Sequence, residues 1–233
     1  MDPEDLANEL ECVLRPDREL PPSWNKPPTS DLYIVADRPD KQTGDVRRRL
    51  EIARWGLVPS WAKDVSSGSR LFNARLESVA EKPAYRKAAH SRRCLVPATG
   101  YYEWRAGSDG KQPFFIHAAA DEWLCFAGLF EFWRDRSKPD DDPSRWLVST
   151  TIITAAAKGD LADIHDRMPV VLDRRDYDRW LDPSSGADEA LGLLSDTAGL
   201  QPGHAVELAW HRVGREVGSV AVDRPELAEE IRS

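Results

Sequence analysis

The amino-acid sequence predicts an α+β fold in a single domain, built on a mostly antiparallel, barrel-like β-sheet with short peripheral helices. Two observations predict it. Apolar or aromatic runs with strand character follow one another through the middle of the chain, and short helical segments flank them without a regular strand–helix–strand rhythm. Because 233 residues suffice for one full core and no repeat or linker divides them, we expect one domain over residues 1–233.

The N-terminal elements follow from capping residues and prolines. Asp2 stands before a proline and two acidic residues, which is typical of a helix start and predicts a helix over Pro3–Glu11. The proline-rich stretch Pro21–Pro28 is expected to be extended or turning. Apolar runs then predict strands at Leu32–Ala36 and Leu50–Leu57.

The middle of the chain carries the clearest strand signal. A short helix is predicted over Glu81–His90, because Pro83 is tolerated in a first helical turn. The strands expected after it are Cys94–Pro97, Gly100–Arg105, Phe114–His117, Trp123–Phe132 and Trp146–Thr154. Ser108-Asp109-Gly110 separates the second of these runs from the third and predicts a hairpin.

The C-terminal third is predicted to contain two helices and one strand. The acidic, proline-bounded stretch Lys138–Pro143 is expected to be a loop. Asp173 is expected to cap a helix over Arg174–Leu181. A second helix is predicted at Ala187–Ser195, and a late strand at Ala205–Val213.

The charge of the chain bears on its partners. A formal net charge of −8 argues against sequence-independent coating of duplex DNA, which rests on many Lys and Arg contacts to phosphates. Two clusters of basic residues are still compatible with a local nucleic-acid-binding site. A solvated surface is the more common explanation of such clusters. They are Arg86, Lys87, Arg92 and Arg93, and Arg47, Arg48 and Arg49. Most tryptophans, Trp55 and Trp61 among them, are expected in the core, and an exposed fraction would suit stacking on bases.

Several classes of protein are disfavoured. No apolar run has the length of a membrane span, and the acidic start Met-Asp-Pro-Glu-Asp is unlike a signal peptide. Cys12, Cys94 and Cys125 form no CxxC pair, so we expect no disulfide and a cytoplasmic location. No zinc-ligand spacing, phosphate-binding glycine loop or dinucleotide fingerprint is found, and we expect neither a metal nor a cofactor.

The segment His165-Asp166-Arg167-Met168-Pro169 is the first candidate for chemistry. Imidazole exchanges protons near neutral pH, and the neighbouring guanidinium offers paired donors to a phosphate or carboxylate. Together they indicate acid–base chemistry on an anionic substrate. The alternative is a structural histidine in a buried loop, which is common.

Two further segments place polar side chains together. In an extended chain, the side chains of Asn73, Arg75 and Glu77 would point to one face. Polar side chains on such a face are either solvated or take part in binding or catalysis. Glu103 lies among aromatic residues, whose burial would raise its pKa and make it a candidate acid or base. The alternative for each segment is an ordinary exposed strand face.

Eight segments between about Leu20 and Leu181 together resemble the ordered motifs of a known protein family. They are W-G-L-V-P-S-W-A, F-N-A-R-x-E, E-K-P-A-Y-R, R-R-C-L-V-P-A-x-G-Y-Y-E-W, K-Q-P-F-F-I-H, F-A-G-L-F-E-F-W, T-T-I-I-T-A-A-A and I-H-D-R-M-P-V-V-L. In this order the chain resembles the SOS-response-associated peptidase family, the abasic-site-processing proteins. So many independent motifs argue against chance similarity.

The resemblance implies an enzyme that binds single-stranded DNA at an abasic site. Family members begin Met-Cys-Gly-Arg and remove the initiator methionine by peptidase-like self-cleavage. The exposed cysteine then forms a thiazolidine crosslink with the ring-opened sugar through its α-amine and thiol. An α-amine with a pKa of about 8 is partly neutral and suits imine formation. The expected partner is single-stranded DNA with abasic sites, and we expect a cytoplasmic monomer that joins the nucleoid when DNA is damaged.

The resemblance also implies roles for individual residues. Asn73 would orient the N-terminal cysteine and the open sugar. Glu103 would transfer protons during methionine removal and imine formation, and His165 would be the acid–base partner for sugar ring opening. The implied DNA-binding residues are Arg75 and Arg167, at flanking phosphates, and Trp104, against the nucleotide or Glu103.

The first residues depart from the family pattern. Asp2 follows Met1, and no Cys-Gly-Arg occurs in the sequence. Because the acid–base residues are present, we expect a start that lies upstream and carries the cysteine. The alternative is a non-covalent binding module for abasic or single-stranded DNA. Cys12 has no free α-amine and cannot replace the cysteine. A third hypothesis, peptide hydrolysis by Glu103 and His165, lacks an accompanying Ser or Cys nucleophile.

Overall fold

A computed structural model of the protein describes residues 2–40, 42–120, 122–198 and 206–231. Its strands are β1 (Asp31–Pro39), β2 (Val46–Trp55), β3 (Asn73–Arg75), β4 (Arg93–Ala98), β5 (Gly100–Gly107), β6 (Gly110–Ala118), β7 (Leu124–Arg134), β8 (Trp146–Ala156), β9 (Arg167–Pro169) and β10 (Leu208–Arg212). Its α-helices are α1 (Pro3–Glu9), α2 (Arg86–Ser91), α3 (Tyr177–Leu181) and α4 (Ala187–Ala198). Short 3-10 helices occupy several connections.

Five strands close into a barrel. The antiparallel order β2-β1-β4-β7-β8 is closed by a short parallel pairing, in which Arg54 and Trp55 of β2 lie beside Ser149 and Thr150 of β8. β3 runs parallel to the middle of β8, and β9 runs antiparallel to its end. The predicted α+β fold with a mostly antiparallel, barrel-like sheet and short helices is confirmed.

A second, three-stranded sheet has the order β10-β6-β5 and is antiparallel throughout. Strand alternation gives it two faces. The face that carries Tyr101, Glu103 and Arg105, here called the proximal face, packs through its apolar residues on Leu161 and Ile164. The opposite face packs on a cluster formed by Val213, Val217 and Leu227.

Side-chain alternation along the barrel strands also separates two apolar layers. In β1, Tyr33 and Val35 face the layer that the helices cover, whereas Ile34 and Ala36 face the other layer. Trp180 of α3 is fully buried in the helix-covered layer and donates its Nε1–H to the carbonyl oxygen of Cys94 at 2.9 Å. The helices therefore seal one surface of the barrel strands.

Most predicted elements are present, with two informative differences. The predicted helix Glu81–His90 is wrong in its first half, because the N–H groups of residues 81 and 82 bond to the Ser78 carbonyl in a turn and α2 begins only at Arg86. The predicted strand Leu50–Leu57 ends earlier, at Trp55. The next residue, Gly56, has φ +122°, and a Cβ there would lie 2.4 Å from the carbonyl oxygen of Gly68.

Other local predictions are confirmed. Asp2 caps α1 by accepting the N–H of Glu4 at 2.8 Å, and Asp173 caps the 3-10 turn that precedes α3. The β5–β6 hairpin turns at Gly107–Gly110, where Gly110 has φ +102°. The late strand is β10, and Ala205, with which it was predicted to begin, lies outside the described residues.

The proline-rich N-terminal segment is irregular, as predicted, and it is tied to the C-terminal part of the chain. The Asn25 side-chain amide donates to the carbonyl oxygens of Val217, Ser219 and Val222 at 2.9–3.1 Å. Asp223 accepts the backbone N–H of Trp24 at 2.6 Å. These bonds form a clasp between residues almost 200 positions apart in sequence.

The predicted basic clusters largely stabilise the fold. Arg93 is 2% exposed and donates to backbone carbonyl oxygens of α2 and of the segment that follows α3. Arg48 pairs with both Asp37 and Asp178, at 2.8 and 2.7 Å. These guanidinium groups are consumed by internal contacts, so they are not free to bind phosphates.

Candidate functional site

Glu103 and His165 face each other at the centre of the candidate site. Glu103 projects from β5 on the proximal face, and His165 follows the 3-10 helix Gly159–Asp163, which packs against that same face. The carboxylate Oε2 lies 3.9 Å from the imidazole Nδ1. That separation is slightly beyond a direct hydrogen bond and is closed by a small rotation or by one bridging water.

The environment of Glu103 favours its neutral form. Burial raises the pKa of Glu103, whereas the Trp104 N–H, which donates to Oε1 at 3.1 Å, and the nearby imidazole lower it. The net direction is upward from an ordinary glutamate. A carboxyl that exchanges its proton closer to neutral pH is suited to general acid or base work, as the sequence suggested.

Backbone contacts fix the His165 ring. Its Nδ1 lies 3.1 Å from the backbone nitrogen of Arg167 and 3.3 Å from the carbonyl oxygen of the same residue, so these contacts hold the ring in place in either tautomer. The Asp166 carboxylate lies 3.2 Å from Nδ1. It can accept a hydrogen bond from the Nδ1–H group when the ring is charged. The imidazole side chain is 43% exposed, so a solute can reach it. The alternative of a buried structural histidine is therefore wrong.

Arg167 is held in a fixed position by Glu77. Its two terminal nitrogens donate to the two Glu77 oxygens at 2.7 and 3.0 Å, and one of them also bonds to Thr154. The same bond lowers the pKa of Glu77. The sequence predicted Arg167 as a free fork for phosphate, but in the structure this fork already holds a carboxylate. Through its backbone N–H, Arg167 instead orients His165.

Asn73 and Arg75 lie on β3, beside this chain of contacts. β3 pairs with β8 so that Arg75 stands next to the buried Thr154, and the side chains of Asn73 and Arg75 are exposed. The predicted common face stops at Arg75, because the chain then enters a 3-10 helix and Glu77 turns towards Arg167. Among the residues that the structure describes, the side chain of Asn73 makes no hydrogen bond to Glu103 or His165.

Trp104 lies on the other side of the sheet from Glu103. Its ring packs with the opposite-face cluster around Val213 and Val217, as expected for consecutive residues of one strand. The ring therefore does not face the Glu103 site, and its contact with a nucleotide stays a prediction. The other predicted role of Trp104 is support of Glu103. The backbone N–H of Trp104 gives such support, because it donates to the Glu103 carboxylate.

The sequence analysis missed an exposed aromatic residue. Trp61 was predicted to be core, yet it is 66% exposed. It lies in the segment between β2 and β3, whose ends are held together by the bond from the Leu57 N–H to the Leu71 carbonyl oxygen. Pro59 and Ser60 directly before it are turn residues, and this was the available signal for an exposed position.

The three internal cysteines are poor candidates for a nucleophile. Cys94 and Cys125 are buried, as predicted, and Cys12 is partly buried. Burial raises the pKa of each thiol to about 12, so the reactive thiolate is scarce near neutral pH. Within the described parts of the chain, no group of three or more His, Cys, Asp or Glu side chains could hold a metal ion. None of the described helices is long and apolar enough to cross a membrane.

The chain is similar in sequence to one family of proteins. The model of the SOS response associated peptidase (SRAP) family matches residues 1–220. Abasic site processing protein YoqW of Bacillus subtilis is 37% identical over 216 residues, covering 92% of this chain and 88% of the relative. Abasic site processing protein HMCES of Gallus gallus is 33% identical, covering 88% of this chain and 65% of that protein.

Solved structures share the fold. A protein from Bordetella bronchiseptica aligns with a TM-score of 0.71 at 24% identity, covering 91% of this chain and 96% of that one. A phage-related protein from the same organism aligns with a TM-score of 0.61 at 30% identity, covering 92% of each chain.

Proposed function

This chain belongs to the SOS response associated peptidase family, and from that premise we propose that it processes abasic sites in single-stranded DNA. The observation that carries the proposal is the Glu103–His165 pair, in which a carboxyl of raised pKa faces an oriented, accessible imidazole. An abasic sugar must open to its aldehyde before an amine can attack. Both steps move protons, which is the work that such a pair performs.

Each of the two groups has a proposed part in these steps. As the sugar ring opens, His165 donates a proton to the ring oxygen, whose bond to the anomeric carbon breaks, and the anomeric hydroxyl loses its proton to water to give the aldehyde. Glu103 takes a proton from the attacking amine and returns one to the departing hydroxyl, so that imine formation releases one water. Glu77 and Arg167 act as positioning residues, since they fix the backbone that orients the His165 ring.

The strand β3 supplies the proposed contacts to the DNA backbone. Arg75 is exposed, and no carboxylate of the described residues forms an ion pair with it. Its charge is therefore available to a phosphate beside the abasic site. Asn73 lies on the same side of the strand and offers an amide to the open sugar. The acidic overall charge suits recognition of one lesion better than coating of DNA.

The covalent step belongs to the same proposal and requires an N-terminal cysteine. The α-amine and the aldehyde form an imine with loss of water, and the thiol then adds across the C=N bond to close a thiazolidine. No oxidant or reductant is consumed. Cys12, Cys94 and Cys125 cannot perform this step, because an internal residue has no α-amine. A chain that starts with Met1 and Asp2, and so has no N-terminal cysteine, is expected to bind abasic sites without forming a thiazolidine.

Labelled single strands with and without one abasic site test the proposal. We expect the chain to bind the abasic strand more tightly than the intact strand. A version extended at its start by Met-Cys-Gly-Arg and a short spacer should give a denaturant-resistant adduct, and a Met-Ser-Gly-Arg version should not. Equal affinity for both strands would contradict the proposed function. An adduct of equal yield with the serine version would contradict the cysteine step.

Trp61 gives a separate prediction about DNA binding. Its exposed ring lies on the segment that leads into β3, so we propose that a base next to the lesion stacks on it. Trp61→Ala should weaken binding of abasic single strands by about fivefold or more, since stacking on an aromatic residue contributes roughly 1–3 kcal/mol per base. Fluorescence anisotropy measures this change. Trp24→Ala, at another exposed tryptophan, is the matched control, and equal losses in both variants would refute the assignment.

A further inference from the structure

A cavity of about 260 Å³ lies beside the three-stranded sheet, and two histidines line it. They are His117 on β6 and His211 on β10. Strand alternation directs both side chains, and that of Phe115 between them, to the face of the sheet that points away from Glu103. Both imidazoles are partly exposed, so a solute can reach them. No step of the proposed chemistry uses this cavity.

Each of the two imidazoles uses one ring nitrogen to bond to the backbone. Nδ1 of His117 lies 2.7 Å from the carbonyl oxygen of Ala118, and Nε2 of His211 lies 2.8 Å from the carbonyl oxygen of Ala228. A carbonyl oxygen only accepts hydrogen bonds, so each of these nitrogens carries the proton of the neutral ring. The free lone pairs are then on Nε2 of His117 and on Nδ1 of His211. Metal-binding histidines have this arrangement, in which the other ring N–H donates to the backbone and fixes the ring.

The separation of the two rings suits one shared metal ion. Their centroids lie 5.3 Å apart, and their planes meet at 58°. A zinc-bound imidazole nitrogen lies about 2.0–2.1 Å from the ion, so the ring centroid lies roughly 3.2 Å from it. Tetrahedral coordination then places two such centroids roughly 5.2 Å apart. The Phe115 ring, stacked on His117 with centroids 5.5 Å apart, supports one of the two rings.

We propose that His117 and His211 bind one divalent transition-metal ion, with water in its remaining coordination positions. Imidazole nitrogen suits zinc, nickel and copper ions, whereas magnesium and calcium ions prefer oxygen ligands. Glu122 lines the same cavity, but in the described parts of the chain it forms no three-residue metal group with the two histidines. The two lone pairs replace two water ligands of the hydrated ion, and no proton is released. Sequence spacing could not reveal this site, because its ligands come from separate strands.

The bound ion ties β6 to β10. Its two ligands lie on neighbouring strands, and the bond from His211 to Ala228 extends the connection to the C-terminal segment. Because the unfolded chain does not hold the two imidazoles together, an ion on the folded sheet raises the stability of the protein. β6 also pairs with the strand that carries Glu103, so the ion stabilises the sheet behind the candidate site. This inference does not depend on the proposed function.

Zinc titration of the full chain, prepared without a histidine tag, tests the site. Isothermal titration calorimetry should show one zinc ion bound per chain, and magnesium at the same concentration should not bind. His117→Ala and His211→Ala should each weaken zinc binding about tenfold or more, because even the loss of an outer partner of a ligand weakens binding 10–100-fold. His90→Ala, at an exposed histidine of α2, is the matched control and should bind zinc like the unmodified chain.

Nuclear magnetic resonance tests the same site without any substitution. Nitrogen–proton correlation spectra of the histidine rings should show the proton on Nδ1 of His117 and on Nε2 of His211, and zinc should shift the other nitrogen of each ring. Zinc should also raise the urea midpoint of the unmodified chain and of His90→Ala. A proton on the opposite nitrogen of either ring would overturn the site. So would zinc binding that survives replacement of both histidines, or magnesium binding of equal strength.

Discussion

Glu103→Gln is expected to lower the rate of abasic-site processing by about 10²–10⁴-fold, the usual contribution of a positioned acid or base. The amide keeps the shape of the side chain and can still accept the Trp104 N–H, but it cannot exchange a proton with the substrate. The effect should fall on the rate of adduct formation, measured with the cysteine-bearing version at saturating abasic DNA. Binding of the DNA should change much less.

The pH profile provides an independent check on Glu103. Burial raises the pKa of this carboxyl, so the carboxylate that acts as base is lost at higher pH than in an exposed glutamate as the solution is acidified. The part of the acidic limb that belongs to Glu103 should therefore lie above the range of an ordinary glutamate and should be absent in Glu103→Gln, in which only the loss of rate from protonation of the α-amine remains. Glu81→Gln, at an exposed position, is the control. A Glu103→Gln rate within threefold of the unmodified rate would rule out the assigned role.

Arg93→Met is expected to produce the largest loss of stability, about 3–5 kcal/mol in the free energy of unfolding. Arg93 is almost completely buried and donates to the carbonyl oxygens of Ala89, His90, Trp180, Asp182 and Ser185. Methionine fills the space of the stem but leaves these acceptors without a donor, at roughly 1–3 kcal/mol for each one that water does not reach. Urea titration monitored by tryptophan fluorescence measures the change.

A conservative variant and a control define the cause. Arg93→Lys retains the charge but has three donors instead of five, so its loss of stability should be smaller than that of Arg93→Met. Arg86→Met, at an exposed position of the same predicted basic cluster, should alter stability by less than about 0.5 kcal/mol. Equal stabilities of Arg93→Met and Arg86→Met would show that the buried carbonyl oxygens do not depend on Arg93.

Local sequence patterns were sufficient for the strands but not for their closure. The run Phe114–His117 and the turn at Gly110 identify the β5–β6 hairpin directly, because alternation and a glycine with positive φ are local properties. The parallel contact between Trp55 and Thr150, which closes the barrel, leaves no local signal. The turn after Glu81, where the N–H groups of residues 81 and 82 bond to the Ser78 carbonyl oxygen, was also missed.

The site was only partly predictable for the same reason. The sequence alone singles out Glu103, His165 and Arg75. Carboxylate and imidazole groups transfer protons, and a guanidinium group binds phosphate. The pairing of Glu77 with Arg167 spans 90 positions and turned a predicted phosphate fork into a support for the imidazole. Trp61 was assigned to the wrong environment, because the number of aromatic residues in a chain does not tell which of them a fold leaves exposed.

The clasp between Asn25 and the C-terminal segment has a consequence for protein synthesis. The hairpin that carries Glu103 needs β10 to complete its sheet, and β10 and the residues that Asn25 binds are synthesised long after the hairpin. At 5–20 residues per second, the stretch from Phe114 to Arg212 takes roughly 5–20 s to translate. During that interval the hairpin has an open edge and the N-terminal asparagine has no partner. Until β10 has joined the sheet, the unpaired edge of β6 is therefore open to pairing with other chains.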